Sequence, residues 1–136
     1  MLGALLSACA ALLHVGCIVF GARWYRFFGA GEKMARMAQA GNPRAALITS
    51  GIVILLSVWA WYALSGAGLV GPMPLLRTGL TVIASVYVLR GLVLIPILIF
   101  ARPLATPFWW WSSAICLAFG LIHIQGLRSL WHALPG

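Results

Sequence analysis

Four stretches, residues 2–22, 45–64, 77–100 and 108–127, run for about twenty residues each, and the only charges they contain are Arg77 and Arg90. Twenty residues of helix, rising about 1.5 Å per residue, cross a hydrocarbon core of roughly 30 Å. Inside such a core the backbone amides must find their partners within the segment, which a helix provides. The pattern therefore predicts an all-α integral membrane protein: one domain over residues 1–136, with four transmembrane helices at those positions.

Composition agrees. The chain is 63% hydrophobic and 7% charged, against about 25% charged residues in a soluble domain. Nine Lys and Arg face a single acid, Glu32, for a net charge of +8. On a soluble domain that excess would suggest nucleic acid, but too little chain lies outside the spans to build such a surface. The basic residues are instead topogenic and attractive to anionic lipid headgroups. Cys9, Cys17 and Cys116 all fall inside apolar runs, without C-x-x-C spacing. Neither a disulfide framework nor a zinc site is expected, and each thiol reads as a small buried hydrophobe. Leu6-Ser7-Ala8-Cys9 resembles a lipoprotein cleavage box, but it lacks the basic start and long apolar run of a signal peptide, so it is taken as part of the first span.

Between the first two spans, Arg23, Arg26, Lys33, Arg36 and Arg44 accompany Trp24, Tyr25, Phe27 and Phe28. Basic and aromatic residues together mark a membrane interface. Within this segment, residues 31–40 place Met34 and Met37 on one side with Lys33 and Arg36 elsewhere, which predicts a short amphipathic helix on the membrane surface. Gly41-Asn42-Pro43 ends it. With the amino terminus outside, the inner loops hold these five basic residues plus Arg102, and the outer side holds Arg77 and Arg128. Six against two places both termini on the extracytoplasmic face, as in a bacterial inner membrane.

Arg90 is the costliest residue in the chain to place. A charge at that depth faces a bundle interior, a watery cavity, a partner or a ligand. Tyr87, three residues earlier on a neighbouring part of the face, can offer a hydroxyl. Pro96, six residues later, cannot donate to the Leu92 carbonyl and should kink the helix within about a turn of the guanidinium. His14, on a stripe of small residues in the first span, lies at about the depth of Arg90 if spans one and three run the same way. These four residues are the candidate ligand-binding set. Internal satisfaction of Arg90 by freed carbonyls, Tyr87, Ser57 or Ser112 is the competing reading. Glu32 has Arg36 as its i+4 neighbour, an ordinary surface pair; were its helix to fold inward, Glu32 would be a gate or counter-ion to Arg90.

No cofactor or metal is expected. A bis-histidine haem needs two imidazoles at one depth, but His14 sits near the middle of its span and His123 near the outer boundary of its own. No second metal ligand recurs at helical spacing. Trp109, Trp110 and Trp111 read as belt residues. With no Asp and one Glu, no soluble-type catalytic arrangement can be assembled, which makes an enzyme the weaker reading.

Three functions remain: binding or translocation of an anionic or amphipathic small molecule or lipid at Arg90; an accessory subunit whose Arg90 answers a partner membrane subunit; and an enzyme on a lipid-like substrate working through His14 or Cys17. Because four short spans enclose little interior, a pore or carrier would form between protomers of a homo-oligomer.

Overall fold

The computed structural model describes residues 1–132. All regular structure among these residues is helical: α1 (Leu2–Phe20), α2 (Ala22–Phe27), α3 (Glu32–Gln39), α4 (Pro43–Gly66), α5 (Leu76–Leu92), α6 (Leu94–Phe100) and α7 (Pro107–Leu130), with a 3₁₀ turn at Arg102–Leu104. Four segments are long and apolar enough to cross a membrane: Leu2–Phe20, Pro43–Gly66, Leu76–Phe100 and Pro107–Leu130. Large apolar side chains stand exposed along them, among them Leu12 at 69% and Ile54 at 65%. Such faces need an apolar solvent. Residues 133–136, which hold the carboxy terminus that the charge count places outside, lie beyond the described residues.

The chain divides into two compact units, one of Ser7–Val58 and one of Met1–Leu6 with Trp59 onward. In the first, α1 ends at Gly21, whose φ of 64° lies in the left-handed region that glycine enters without penalty. The helix restarts at once as α2. Phe20 stacks on Trp24 at 4.5 Å between centroids, and Trp24 meets Phe28 at 5.5 Å. The Trp24 ring folds back onto Gly16, where a Cβ would sit 2.4 Å from Cζ3. α2 and α3 then pair as a small hairpin.

Tyr25, Ala35, Ala45 and Cys17 form the core of this unit, with Met34, Met37 and Ala38 packed against it. The helix expected over residues 31–40 is thus present at Glu32–Gln39, and its apolar side is used inside the protein. The Tyr25 hydroxyl lies 2.8 Å from Thr49 Oγ1, which itself donates to the Ala45 carbonyl at 2.9 Å, so Tyr25 is the donor of the first bond. This bond ties the hairpin to the opening turns of α4.

In the second unit α5 and α7 are the main packing pair. Gly91 faces Leu117 and Gly120 faces Val88 closely enough that a Cβ at either position would fall within 3.0 Å of backbone nitrogen. These contacts fix an antiparallel register. Small residues at such crossings are what dispersion-driven association in lipid requires. Ser65 organises the turn into α5, donating to the Gly71 carbonyl and accepting from the Met73 N–H.

The third span is irregular at one point: α5 stops at Leu92, Val93 keeps right-handed helical dihedrals (φ −56°, ψ −25°), and α6 carries Pro96 in its first turn. Proline removes the donor that would bond the Leu92 carbonyl and its ring crowds the preceding turn, so the interruption falls upstream of the ring itself.

Candidate functional site

Arg90 lies in the last turn of α5, directly before the irregularity at Val93. Its Nη2 donates to Ser112 Oγ at 3.1 Å. Its Cζ sits 4.7 Å from the centre of the Trp109 ring, a cation–π arrangement. Nη1 is buried and has no hydrogen-bond partner among the described residues. The neighbouring Ser113 is 1% exposed, and its Oγ is likewise buried without a partner among them.

Register shows which way the guanidinium reaches. The contacts of Gly91 with Leu117 and of Gly120 with Val88 put residue 118 opposite Arg90. Ser112 is six positions closer to the start of α7, about 9 Å along the helix. The side chain therefore leans toward the Trp109 end of the pair. At the other end, Arg77 Cζ lies 4.9 Å from the Trp131 ring. Each end of the α5–α7 pair thus carries one arginine on one tryptophan.

Tyr87 is 5% exposed and belongs to an aromatic cluster with Trp59 at 4.8 Å, Phe119 at 5.5 Å and His123 at 5.2 Å. His123 lies against Gly3, where a Cβ would stand 3.0 Å from Nε2, and its Nδ1 bonds the Phe119 carbonyl at 2.9 Å. Pro96 is exposed on α6. His14 belongs to the Ser7–Val58 unit, where its Nδ1 is 2.7 Å from the Ala10 carbonyl.

Glu32 is at the surface of that unit. Its carboxylate takes a two-pronged contact from Arg26, Nη2 at 3.1 Å and Nε at 3.2 Å, and a longer one from Arg36 Nε at 3.4 Å. The i+4 neighbour is present, but Arg26 of α2 is the closer partner. Arg26 also donates to Gln39 Oε1 at 2.9 Å, so one guanidinium clasps both ends of α3. The Arg26 hydrogen bond is the main influence holding Glu32 below the ordinary carboxylate range, and Arg36 adds to it.

Charge bookkeeping follows from this geometry. The one acidic side chain of the protein is committed to Arg26 and Arg36. Arg90 is held by a neutral hydroxyl and an aromatic face, and neither cancels its charge.

Ser112 is among the hydroxyls the sequence offers Arg90, whereas Trp109 reads from the sequence first as a belt residue, with stacking on a ligand as the alternative. The signal that finds Trp109 is register. Glycines 91 and 120 set the offset of α5 against α7, and that offset brings the first of three tryptophans to the guanidinium. Among the described residues no group of three or more His, Cys, Asp or Glu is placed to hold a metal ion.

The helices and their exposed apolar faces define a membrane protein of four membrane-length helical segments. No protein-family profile, no curated protein and no solved structure matches this chain.

Proposed function

We propose that this is an inner-membrane protein that binds an anionic or amphipathic small molecule or lipid at Arg90 and carries it within the bilayer. One observation carries the reading: a buried guanidinium nitrogen, Arg90 Nη1, has no protein partner among the described residues, and the chain's one acidic side chain is engaged elsewhere. A buried donor left unmet costs about 1–3 kcal/mol, more when charged. An anionic oxygen from a ligand removes that cost and neutralises the charge at once.

The ligand would meet a forked donor at Arg90, the hydroxyls of Ser112 and Ser113, and the edge of Trp109. Trp110, Trp111 and Phe100 are exposed and would be the apolar surface met by a tail. Tyr87 supports the site from within its aromatic cluster. In this reading both termini face the extracytoplasmic side, and the α2–α3 hairpin lies at the cytoplasmic interface.

The test is native mass spectrometry of gently extracted wild type, Arg90→Leu and Arg90→Lys, with thermal unfolding as a control on folding. An anionic species retained by wild type, weakened in Arg90→Lys and lost in a folded Arg90→Leu supports the proposal. Equal adducts in all three refute it, and a co-purifying membrane protein lost in Arg90→Leu would assign Arg90 to an acid of a partner subunit.

A further inference from the structure

Going beyond the Arg90 site, we infer that the α2–α3 hairpin is a rigid docking surface for the anionic phospholipid leaflet, with Phe27 as an inserted wedge. The segment between α1 and α4 is 22 residues long, positions 21 to 42. It is not a loose loop. The Tyr25–Thr49 bond fixes α2 to α4 only a few residues from the start of that helix, and Ala35 on the inner side of α3 is fully buried. A hairpin so pinned stays at the level where the two spans leave the hydrocarbon.

Its outer face has the chemistry of a headgroup binder. On α2, Arg23, Arg26 and Phe27 share the i, i+3, i+4 face, while Tyr25 points to the core. Phe27 is 82% exposed, an unusual position for a phenylalanine unless an apolar phase receives it. On α3, Lys33 and Arg36 are exposed and Ala35 is turned inward. Four basic residues and one acid, four minus one, give positions 21 to 42 a charge of +3, and Arg44 in the opening turn of α4 adds one more. Glu32 contacts Arg26 and Arg36, so Arg23, Lys33 and Arg44 carry no carboxylate partner among the described residues. Free cations beside an exposed aromatic ring fit an interface rich in lipid phosphate, not a neutral one.

The α2–α3 latch contributes rigidity. Arg26 joins Glu32 and Gln39 across the turn, so the cations are presented on a fixed scaffold and little ordering remains when they meet phosphate.

The experiment is a native mass spectrometry titration of the full chain in detergent with phosphatidylglycerol and, separately, phosphatidylcholine. Wild type, R23Q/K33Q, F27S and R90L are compared. Each neutralised cation should weaken phosphatidylglycerol binding roughly fivefold, about 25-fold for the pair, with phosphatidylcholine unchanged. F27S should weaken both lipids, since the wedge acts on hydrocarbon, and R23Q/K33Q should cause the same fold loss in phosphatidylglycerol binding whether or not R90L, which removes the separate Arg90 site, is also present. Equal wild-type affinity for the two lipids, or a folded R23Q/K33Q that binds like wild type, overturns the inference. Loss of the preference in R90L alone would assign the anionic lipid to Arg90, overturning this inference while supporting the Arg90 reading.

Discussion

Replacing Gly120 by Ala tests the helix contact that presents Arg90 to its partners. A Cβ at position 120 would lie 2.7 Å from Val88 Cγ2 and 3.0 Å from the Val88 backbone nitrogen. The methyl could be escaped by a rotamer change, but the nitrogen cannot move without shifting α5. Overpacking of this kind costs typically 1–3 kcal/mol. Alanine also recovers about 1 kcal/mol of helix propensity, so the raw effect of the substitution is ambiguous. Gly126 resolves this, because it lies on the same helix and a Cβ there meets nothing within 4 Å. Gly126→Ala reports the propensity gain alone. The difference between the two variants should therefore be about 1–3 kcal/mol against Gly120→Ala. Unfolding by SDS titration in mixed micelles, followed by tryptophan fluorescence, measures it. If Gly120→Ala is as stable as Gly126→Ala, α5 and α7 do not approach as closely as described, and the register that brings Arg90 to Ser112 and Trp109 fails with it.

That register marks the boundary of what could be read from the residues alone. The four membrane-length helices were legible because hydropathy over twenty residues is a sum, and no single neighbour can reverse it. The short helix at Glu32–Gln39 was legible for a similar reason, since Gly31 and Gly41 punctuate it and Met34 and Met37 share a side. The irregularity in the third span was legible from Pro96, whose missing N–H leaves the Leu92 carbonyl without its helical donor, and it falls at Val93, ahead of the ring. The partners of Arg90 were illegible except as a menu of hydroxyls, because pairing between helices depends on offset, and offset is decided by small crossing residues such as Gly91 and Gly120. Likewise, nothing local connects Tyr25 to Thr49, 24 residues on, or indicates that Glu32 prefers Arg26 of another helix to its own i+4 neighbour.

Two further outcomes are expected in the α2–α3 hairpin. Tyr25→Phe removes the buried bond to Thr49 Oγ1 and the longer 3.4 Å contact with the Ala45 carbonyl, while Thr49 keeps its own bond to that carbonyl, so the loss should be about 1 kcal/mol, read by the same SDS titration. A much larger loss would mean that the hydroxyl has a role beyond this pair. Acidification should loosen α3. Glu32 has its pKa lowered in the folded protein, first by the Arg26 hydrogen bond and then further by Arg36, from an ordinary value of 4.5. A group with a depressed folded pKa stabilises the fold above its unfolded value and loses that contribution as pH falls through the folded one. The latch is therefore intact at neutral pH, begins to weaken below about pH 4.5, and is gone once the carboxylate is protonated. Because Arg26 and Glu32 are both at the surface, the effect is local and screened by salt. Amide hydrogen exchange, corrected for its intrinsic pH dependence, should show α3 losing protection as the pH falls below about 4.5 while α5 and α7 do not. Glu32→Gln should bring the acid behaviour of α3 to neutral pH and abolish its further pH dependence. If Glu32→Gln instead leaves α3 protected at neutral pH, the buried contacts of Ala35 alone hold the helix, and the clasp by Arg26 is a surface contact without structural weight.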